Sequence, residues 1–248
     1  MSNPASGPDH AESAAGGVES TLTLADWRRT IAGLYADIRR LSVSDVPAAL
    51  ALWRETRERL YRDHPQSPVP PADRAAFRAT HFDHDPSLRF EVVVREPSEP
   101  FRGGEAGNDL GGLGGLGGAA LAGFAPPLVD LPVSAGGAMS FRRFGTVAIP
   151  FPSGERHLDV YWMEGYAGGL FLPFRDATNG RETYGAGRYL LDAAKGADLG
   201  PGAFPGSLVL DFNFAFQPSC AFDPIWSCPL APPENRLDVR VEAGERLS

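Results

Sequence analysis

Lysine is almost absent from this sequence: among 248 residues Lys195 is the only one, and arginine carries nearly all of the positive charge. The skew accompanies 29 glycines and 23 prolines, a compositional bias that carries no mechanism of its own. Cations are also outnumbered. With 23 Lys+Arg against 31 Asp+Glu the formal net charge is -8 and the pI about 5.1. That argues against a nucleic-acid surface, because backbone binding needs clustered positive charge. No apolar run approaches the roughly 20 residues that cross a bilayer, so no membrane span is expected. Residues 1–20 have neither a basic start nor an apolar stretch. They are therefore expected to carry no secretory signal, and the chain is expected in the cytoplasm.

Cysteine is scarce too. Cys220 and Cys228 enclose seven residues in a stretch interrupted by Pro218, Pro224 and Pro229. In a reducing compartment they read as a structural or redox-labile pair rather than a permanent bridge. A thiolate metal site needs about four ligands, and only His81 and His84 cluster to complete one, so no metal is expected. The spacing of Gly112, Gly114 and Gly117 fits a dinucleotide fingerprint, but Asn108-Asp109-Leu110 ahead of it is no buried strand. No cofactor is expected. The serine elbow, the phosphate-binding Gly-x-x-x-x-Gly-Lys loop and the His-Glu-x-x-His helix are all missing, which removes the common hydrolase and nucleotide signatures without excluding an enzyme.

What is present reads as a mainly β chain, an antiparallel barrel or sandwich, with a helical hairpin in front. Residues 1–20 are expected to form a disordered tail. Residues 21–65 are expected to hold the hairpin, and residues 66–248 a β domain with a Gly-rich insertion at 103–118. Thr23, with Asp26 three positions on, resembles a capping box; Leu24, Trp27, Ile31, Leu34 and Ile38 then fall on one side. Pro47 suits the first turn of a second helix carrying Leu52, Trp53, Thr56 and Leu60, which must stop at His64-Pro65. His81, Asp83, His84 and Asp85 read either as a polar site or as a capped turn before a strand at Phe90, Val92 and Val94. Further strands are expected at 141–149, 158–163, 170–178, 181–184, 188–191, 208–215 and 237–241.

Asn179-Gly180 is a strong two-residue hairpin signal. A type I′ turn there pairs Thr178 with Arg181 and Ala177 with Glu182, leaving Asp176 within diagonal reach of Arg181, and Arg175 within reach of Glu182. In 208–215, alternation sets Asp211 and Asn213 opposite Leu210, Phe212 and Phe214, which implies a wet face or a polar cavity. Asp176, Glu182, Asp211 and Glu234 can do acid–base work only if the fold brings them together.

Two runs are too specific to be generic. One goes from Phe174-Arg175-Asp176 through Asn179-Gly180 and Glu182-Thr183-Tyr184 to Gly187-Arg188-Tyr189. The other goes from Asp211-Phe212-Asn213 through Cys220 and Cys228-Pro229 to Glu234-Asn235-Arg236-Leu237 and Gly244-Glu245. Both resemble the bacterial and archaeal family catalogued as domain of unknown function 1684. Tyr61-Arg62-Asp63-His64-Pro65, Ser67-Pro68, Asp85-Pro86 and Arg89-Phe90 look like its shorter members, so the resemblance covers roughly residues 50–100 and 138–246. Phe216-Gln217 departs from the Tyr-Asn often found there. The resemblance implies a mainly β fold and no assigned activity. It also implies that Asp176, Thr178, Glu182, Tyr184, Arg188, Asp211, Asn213, Cys220, Cys228, Glu234, Asn235 and Arg236 converge. Such a gathering, without the cysteines, suits a small polar or anionic ligand, with a hydrolase-like chemistry open. The competing expectation is a non-enzymatic β scaffold or interaction protein in which the same residues close on one another. Within the set, Asp176, Arg188, Asp211, Asn213 and Arg236 are expected to form one cluster.

Overall fold

The computed structural model describes residues 9–98, 126–166 and 168–247. The Gly-rich stretch at 103–118 and the first eight residues of the tail lie outside these. Helix α1 spans Asp9–Leu41, so it takes in residues 9–20 and starts well upstream of Thr23. The Thr23 hydroxyl does not cap: it bonds back to the Ser20 carbonyl at 2.9 Å, and Thr21 bonds Gly17 in the same way at 2.8 Å. Both are hydroxyl back-bonds of a helix interior, which carries the helix through the expected start.

Helix α2, Val46–Asp63, begins as its sequence requires. Asp45 accepts the Ala48 N–H at 2.9 Å and Pro47 sits in the first turn. It ends at His64, held extended (φ -84°, ψ 138°) ahead of Pro65. The two helices form a hairpin whose Trp27, Ile31, Tyr35, Ile38, Trp53 and Tyr61 enter one core cluster with Phe141, Tyr161, Phe171 and Phe216 of the β region. Leu24, placed on the apolar side by its spacing, is exposed.

The strands are β1 (Thr80–His81), β2 (Arg89–Arg95), β3 (Leu128–Pro132), β4 (Ala138–Phe151), β5 (Gly154–Met163), β6 (Gly169–Phe174), β7 (Arg188–Asp192), β8 (Ser207–Asp211) and β9 (Glu245–Arg246). A seven-stranded antiparallel sheet runs β7-β6-β5-β4-β2-β8 with β3 on β4, and β1 pairs separately with β9. The sheet curls into a half-barrel. Its inner side holds a second core of Val147, Ile149, Leu158, Val160, Leu172, Phe174, Leu210 and Phe212. A register shift between Arg143 and Gly145 lets one strand serve both cores. Phe141 faces the helices, whereas Val147 and Ile149, also odd-numbered, face inward. Gly145 is needed at that bend, because a Cβ there would stand 2.2 Å from a Val94 methyl.

Several expected strands are corrected. Residues 181–184 form none. Gly180 has φ +79°, but no described non-glycine residue has positive φ, so Asn179-Gly180 is not the type I′ turn, which needs both positions there. Instead Glu182 and Thr183 N–H groups return to the Thr178 carbonyl at 3.0 and 3.3 Å. The strand at 208–215 stops at Asp211, whose side chain caps a 3-10 turn over Phe212–Phe214. Residues 237–241 run beside 175–177 through only isolated bonds, Leu237 N to Arg175 O at 2.8 Å and Ala177 N to Val239 O at 2.9 Å. β3 was not foreseen.

Candidate functional site

The first motif folds on itself. Asp176 Oδ1 accepts the Thr178 N–H at 2.6 Å, and Thr178 and Thr183 hydroxyls meet at 2.8 Å. Asn179 Nδ2 donates to Thr183 Oγ1 at 2.9 Å and to the Tyr184 carbonyl at 2.8 Å. These short polar side chains bond the nearby backbone and displace the ladder that a hairpin would have formed. The other Asp176 oxygen accepts from Arg188 Nη2 at 2.6 Å, and both side chains are 0% exposed. Arg188 also donates to the carbonyls of Val241 (2.8 Å), Ala243 and Glu245 (3.1 Å). All four terminal N–H groups thus have acceptors and only Nε is left over. Burial lowers the Arg188 pKa, and the Asp176 carboxylate opposes that shift. The Phe174 and Phe82 rings lie 5.2 and 5.8 Å from the guanidinium carbon.

Asp211 and Asn213 belong to a different group. Asp211 Oδ1 accepts Asn213 N at 3.0 Å and Nδ2 at 2.8 Å, while Asn213 grips the Asp85 backbone in both directions, at 2.9 and 2.8 Å. Burial raises the Asp211 pKa against those bonds and the weaker pull of Arg89 and His84. Among the described residues neither hydrogen bond nor ion pair joins Asp211 to Arg188. Asn235, fully buried, forms a third group. Its amide donates to the Asp159 and Pro173 carbonyls (2.9 and 2.7 Å) and accepts the Asp159 N–H at 2.8 Å. Arg236 is exposed, Glu234 is half-buried, and Glu182 meets Arg240 at the surface at 2.6 Å. The five residues expected in one cluster are therefore split: Asp176 pairs with Arg188, Asp211 bonds Asn213, and Arg236 is exposed.

Tyr184 belongs with the cysteines. Both thiols are free and buried, with the Cys220 N–H donating to Cys228 Sγ at 3.3 Å. The neighbouring Cys228 thiol pulls Cys220 down to about 6, helped by Ser134 and Tyr184; the same closeness, with burial, pushes Cys228 up. Lys195 stands close by, its Nζ donating to Ser219 Oγ at 2.8 Å. Burial lowers its pKa against the attraction of Asp192.

With this geometry in view the comparisons are specific. A family model described as Protein of unknown function (DUF1684) matches residues 122–246. The chain belongs to that family. A solution NMR structure of an uncharacterised protein from Haloarcula marismortui is similar to it at 29% identity, covering 81% of this chain and 93% of that one, with a TM-score of 0.52. None of the curated proteins matches.

The DUF1684 match contains both long motifs, whereas the helical hairpin and the shorter runs at 61–68 and 85–90 lie before it. Sequence reasoning missed the ion pair that ties the two together: Arg57 Nε to Glu245 Oε1 at 2.6 Å, with side chains 3% and 4% exposed. The Arg57 guanidinium carbon lies within 4.7–5.1 Å of the Phe216, Tyr61 and Trp53 ring centres. Its signal was available, since Trp53, Arg57 and Tyr61 repeat at four-residue spacing on the buried face of α2. Also unforeseen was Arg143, held by Asp159 at 2.6 and 3.0 Å. An open groove of about 350 Å³ is lined by Arg54, Glu55, Glu58, Arg59, Arg62, Asp63, Ala79 and His81, none of them among the residues expected to converge. No helix among the described residues is long and apolar enough to cross a membrane.

Proposed function

We propose that the acids, arginine and amides of the two motifs act as fold-locking groups, and that the chain works as a non-enzymatic β scaffold or interaction protein. The observation that carries this is the Arg188 guanidinium, enclosed at 0% exposure with Asp176 and three carbonyls around it. A ligand-binding arginine keeps donors free for its ligand, and this one has none of its terminal donors free. The acid–base alternative also lacks its parts. Asp176 is held by Arg188, Glu182 by Arg240 and Asp211 by Asn213, each on a partner of its own, which supports the fold-locking reading.

Titration of the isotope-labelled protein with phosphate, acetate and a phosphate monoester, followed by backbone amide NMR, tests the reading. No saturable shifts are expected at residues 176–190, 211–213 or 234–236. Saturable shifts there that vanish in Arg188→Lys would overturn it and restore the small-ligand site.

A further inference from the structure

We propose that a pocket where the end of α1 meets β2 and β8 binds a small carboxylic acid with an apolar body, its carboxylate held by Arg39, Arg89 and Ser42. The pocket has a volume of about 150 Å³, room for a single six-membered ring. Its polar lining is of one kind. Arg39, Ser42 and Arg89 all offer donors, and among the described residues no carboxylate lines it, although acids outnumber cations 31 to 23 in the chain. Arg39 is held in position: Nη1 donates to the Asp198 carbonyl at 2.6 Å, and its stem lies close against Gly200, where a Cβ would stand 3.0 Å from Arg39 Cδ. Arg39 Nε and Nη2 have no partner among the described residues, and Arg89 makes neither hydrogen bond nor ion pair there. Ser42 Oγ is buried without a hydrogen-bond partner. The acids beside this lining are committed elsewhere. Asp198 Oδ1 accepts the Gly200 N–H at 2.8 Å, Asp211, opposite Arg89, accepts from Asn213, and Glu91, opposite Val209, accepts the Ala203 N–H. Two carbonyls at the end of α1 are also taken, Ile38 O by Ser42 N at 2.8 Å and Leu41 O by Asp45 N at 2.8 Å, which blunts their repulsion of an anion.

The rest of the lining is apolar: Val43, Leu199, Pro201, Val209 and Phe214. An inorganic anion leaves that half of the pocket unused, whereas a ring or short branched chain bearing one carboxylate meets both halves. A guanidinium fork takes a carboxylate through parallel charge-assisted bonds, and a carboxylate oxygen gives the Ser42 hydroxyl the acceptor it lacks. The acids, arginines and amides of the two long motifs take no part, so the site is separate from the fold-locking networks. Because α1 supplies one wall and the sheet the other, a bound acid ties the helical hairpin to β2 and β8 and stabilises the folded chain by mass action.

The test titrates the isotope-labelled full chain with benzoate, benzamide, acetate and inorganic phosphate, followed by backbone amide NMR. Benzoate is expected to shift the amides of residues 40–43, 199 and 200 saturably, with a Kd of about 1 mM or below. Benzamide keeps the shape without the charge, and acetate and phosphate keep the charge without the ring; each should bind at least ~10-fold more weakly. Arg39→Gln and Arg89→Gln, at exposed positions, should each weaken benzoate by ~10-fold or more. The comparison of the four probes on the unmutated chain stands whether or not the variants fold. Residues 40–43, 199 and 200 lie outside the segments whose silence the fold-locking reading requires, so the two readings fail separately. The absence of saturable shifts there, or benzamide or phosphate binding as tightly as benzoate, would overturn the proposal, as would full benzoate affinity in both variants.

Discussion

Asp176→Asn keeps the shape of the buried side chain and removes its charge, leaving Arg188 with three carbonyls and no counter-ion. Breaking a buried ion pair from one side costs about 3–5 kcal/mol, a large share of a typical domain's ~5–15 kcal/mol. Arg188→Met is expected to cost more. It strips a donor from the carbonyls of Val241, Ala243 and Glu245 as well as from Asp176. Each buried acceptor so orphaned adds about 1–3 kcal/mol, less where water enters. Because Asp176 without Arg188 is an unpaired buried charge, the double variant should be less damaged than the sum of the single ones, with a coupling of about 2–3 kcal/mol. Urea melts followed by fluorescence of the buried Trp53 measure all four proteins. Asp211→Asn supplies the contrast. Burial already raises the Asp211 pKa, so deleting the charge should cost under about 1.5 kcal/mol and couple to Arg188→Met by less than about 0.5 kcal/mol. Additive losses for Asp176 with Arg188, or strong coupling of Asp211 to Arg188, would refute the separation into distinct networks.

Two further outcomes are expected. Burial, aided by Arg54 and Arg57, depresses the His81 pKa to about 4. As pH falls from about 6.5 to 4, the unfolded chain therefore takes up a proton that the folded chain refuses, and stability should drop by up to about 3 kcal/mol. His81→Phe should remove that part of the slope in urea melts at pH 7 and 4.5, and identical slopes would count against it. Gly244→Ala should lower stability by about 3 kcal/mol or more, since φ is +76° and a Cβ would stand 2.4 Å from the Ala215 carbonyl oxygen. Gly136→Ala, at φ +87° with nothing within 4 Å, should cost only about 1 kcal/mol in the same urea melts, and similar losses at both sites would show that the clash is relieved.

The helical hairpin and most strands were legible because their side chains obey one period over several turns or pleats. Trp27, Ile31 and Ile38, or Phe90, Val92 and Val94, announce a face whatever the rest of the chain does. The failures occur where short polar side chains act on backbone two to five residues away. Asn179-Gly180 carries the right residues for a hairpin, yet Asp176 and Asn179 satisfy the neighbouring N–H and C=O groups first. Asp211 likewise reads as the outward residue of a longer strand until its carboxylate turns back on Asn213 N. The grouping of the site residues failed for another reason. Periodicity places a residue on a face but does not select its partner. Arg188 chose Asp176 and three carbonyls contributed by a segment more than fifty positions downstream, which no local pattern encodes.

Those downstream contacts explain why the DUF1684 motifs are polar rather than apolar. From Asn235 to Arg246 the chain crosses the half-barrel with only a two-residue strand, yet Leu237, Val241, Ala243 and Glu245 are buried. Buried backbone without a ladder still needs partners for its N–H and C=O groups. Side chains from elsewhere supply several of them. Arg188 takes the carbonyls of 241, 243 and 245, and Arg175 exchanges backbone bonds with Asn235 and Leu237. Glu245, its own N–H held by the Ala215 carbonyl, then reaches across to Arg57 and fixes the helical hairpin to the end of the chain. An apolar residue at 188 would fill the space but leave three carbonyls unsatisfied, so a charged and forked side chain is the economical solution there. The same logic accounts for Asn213 at Asp85 and Asn235 at Asp159, where one amide meets an N–H and a C=O of the same residue as a ladder neighbour would. Specific polar runs in this chain are thus the signature of irregular backbone carried through a core. The cysteine pair, which satisfies no such ladder beyond the single Cys220 N–H, stands apart from that pattern.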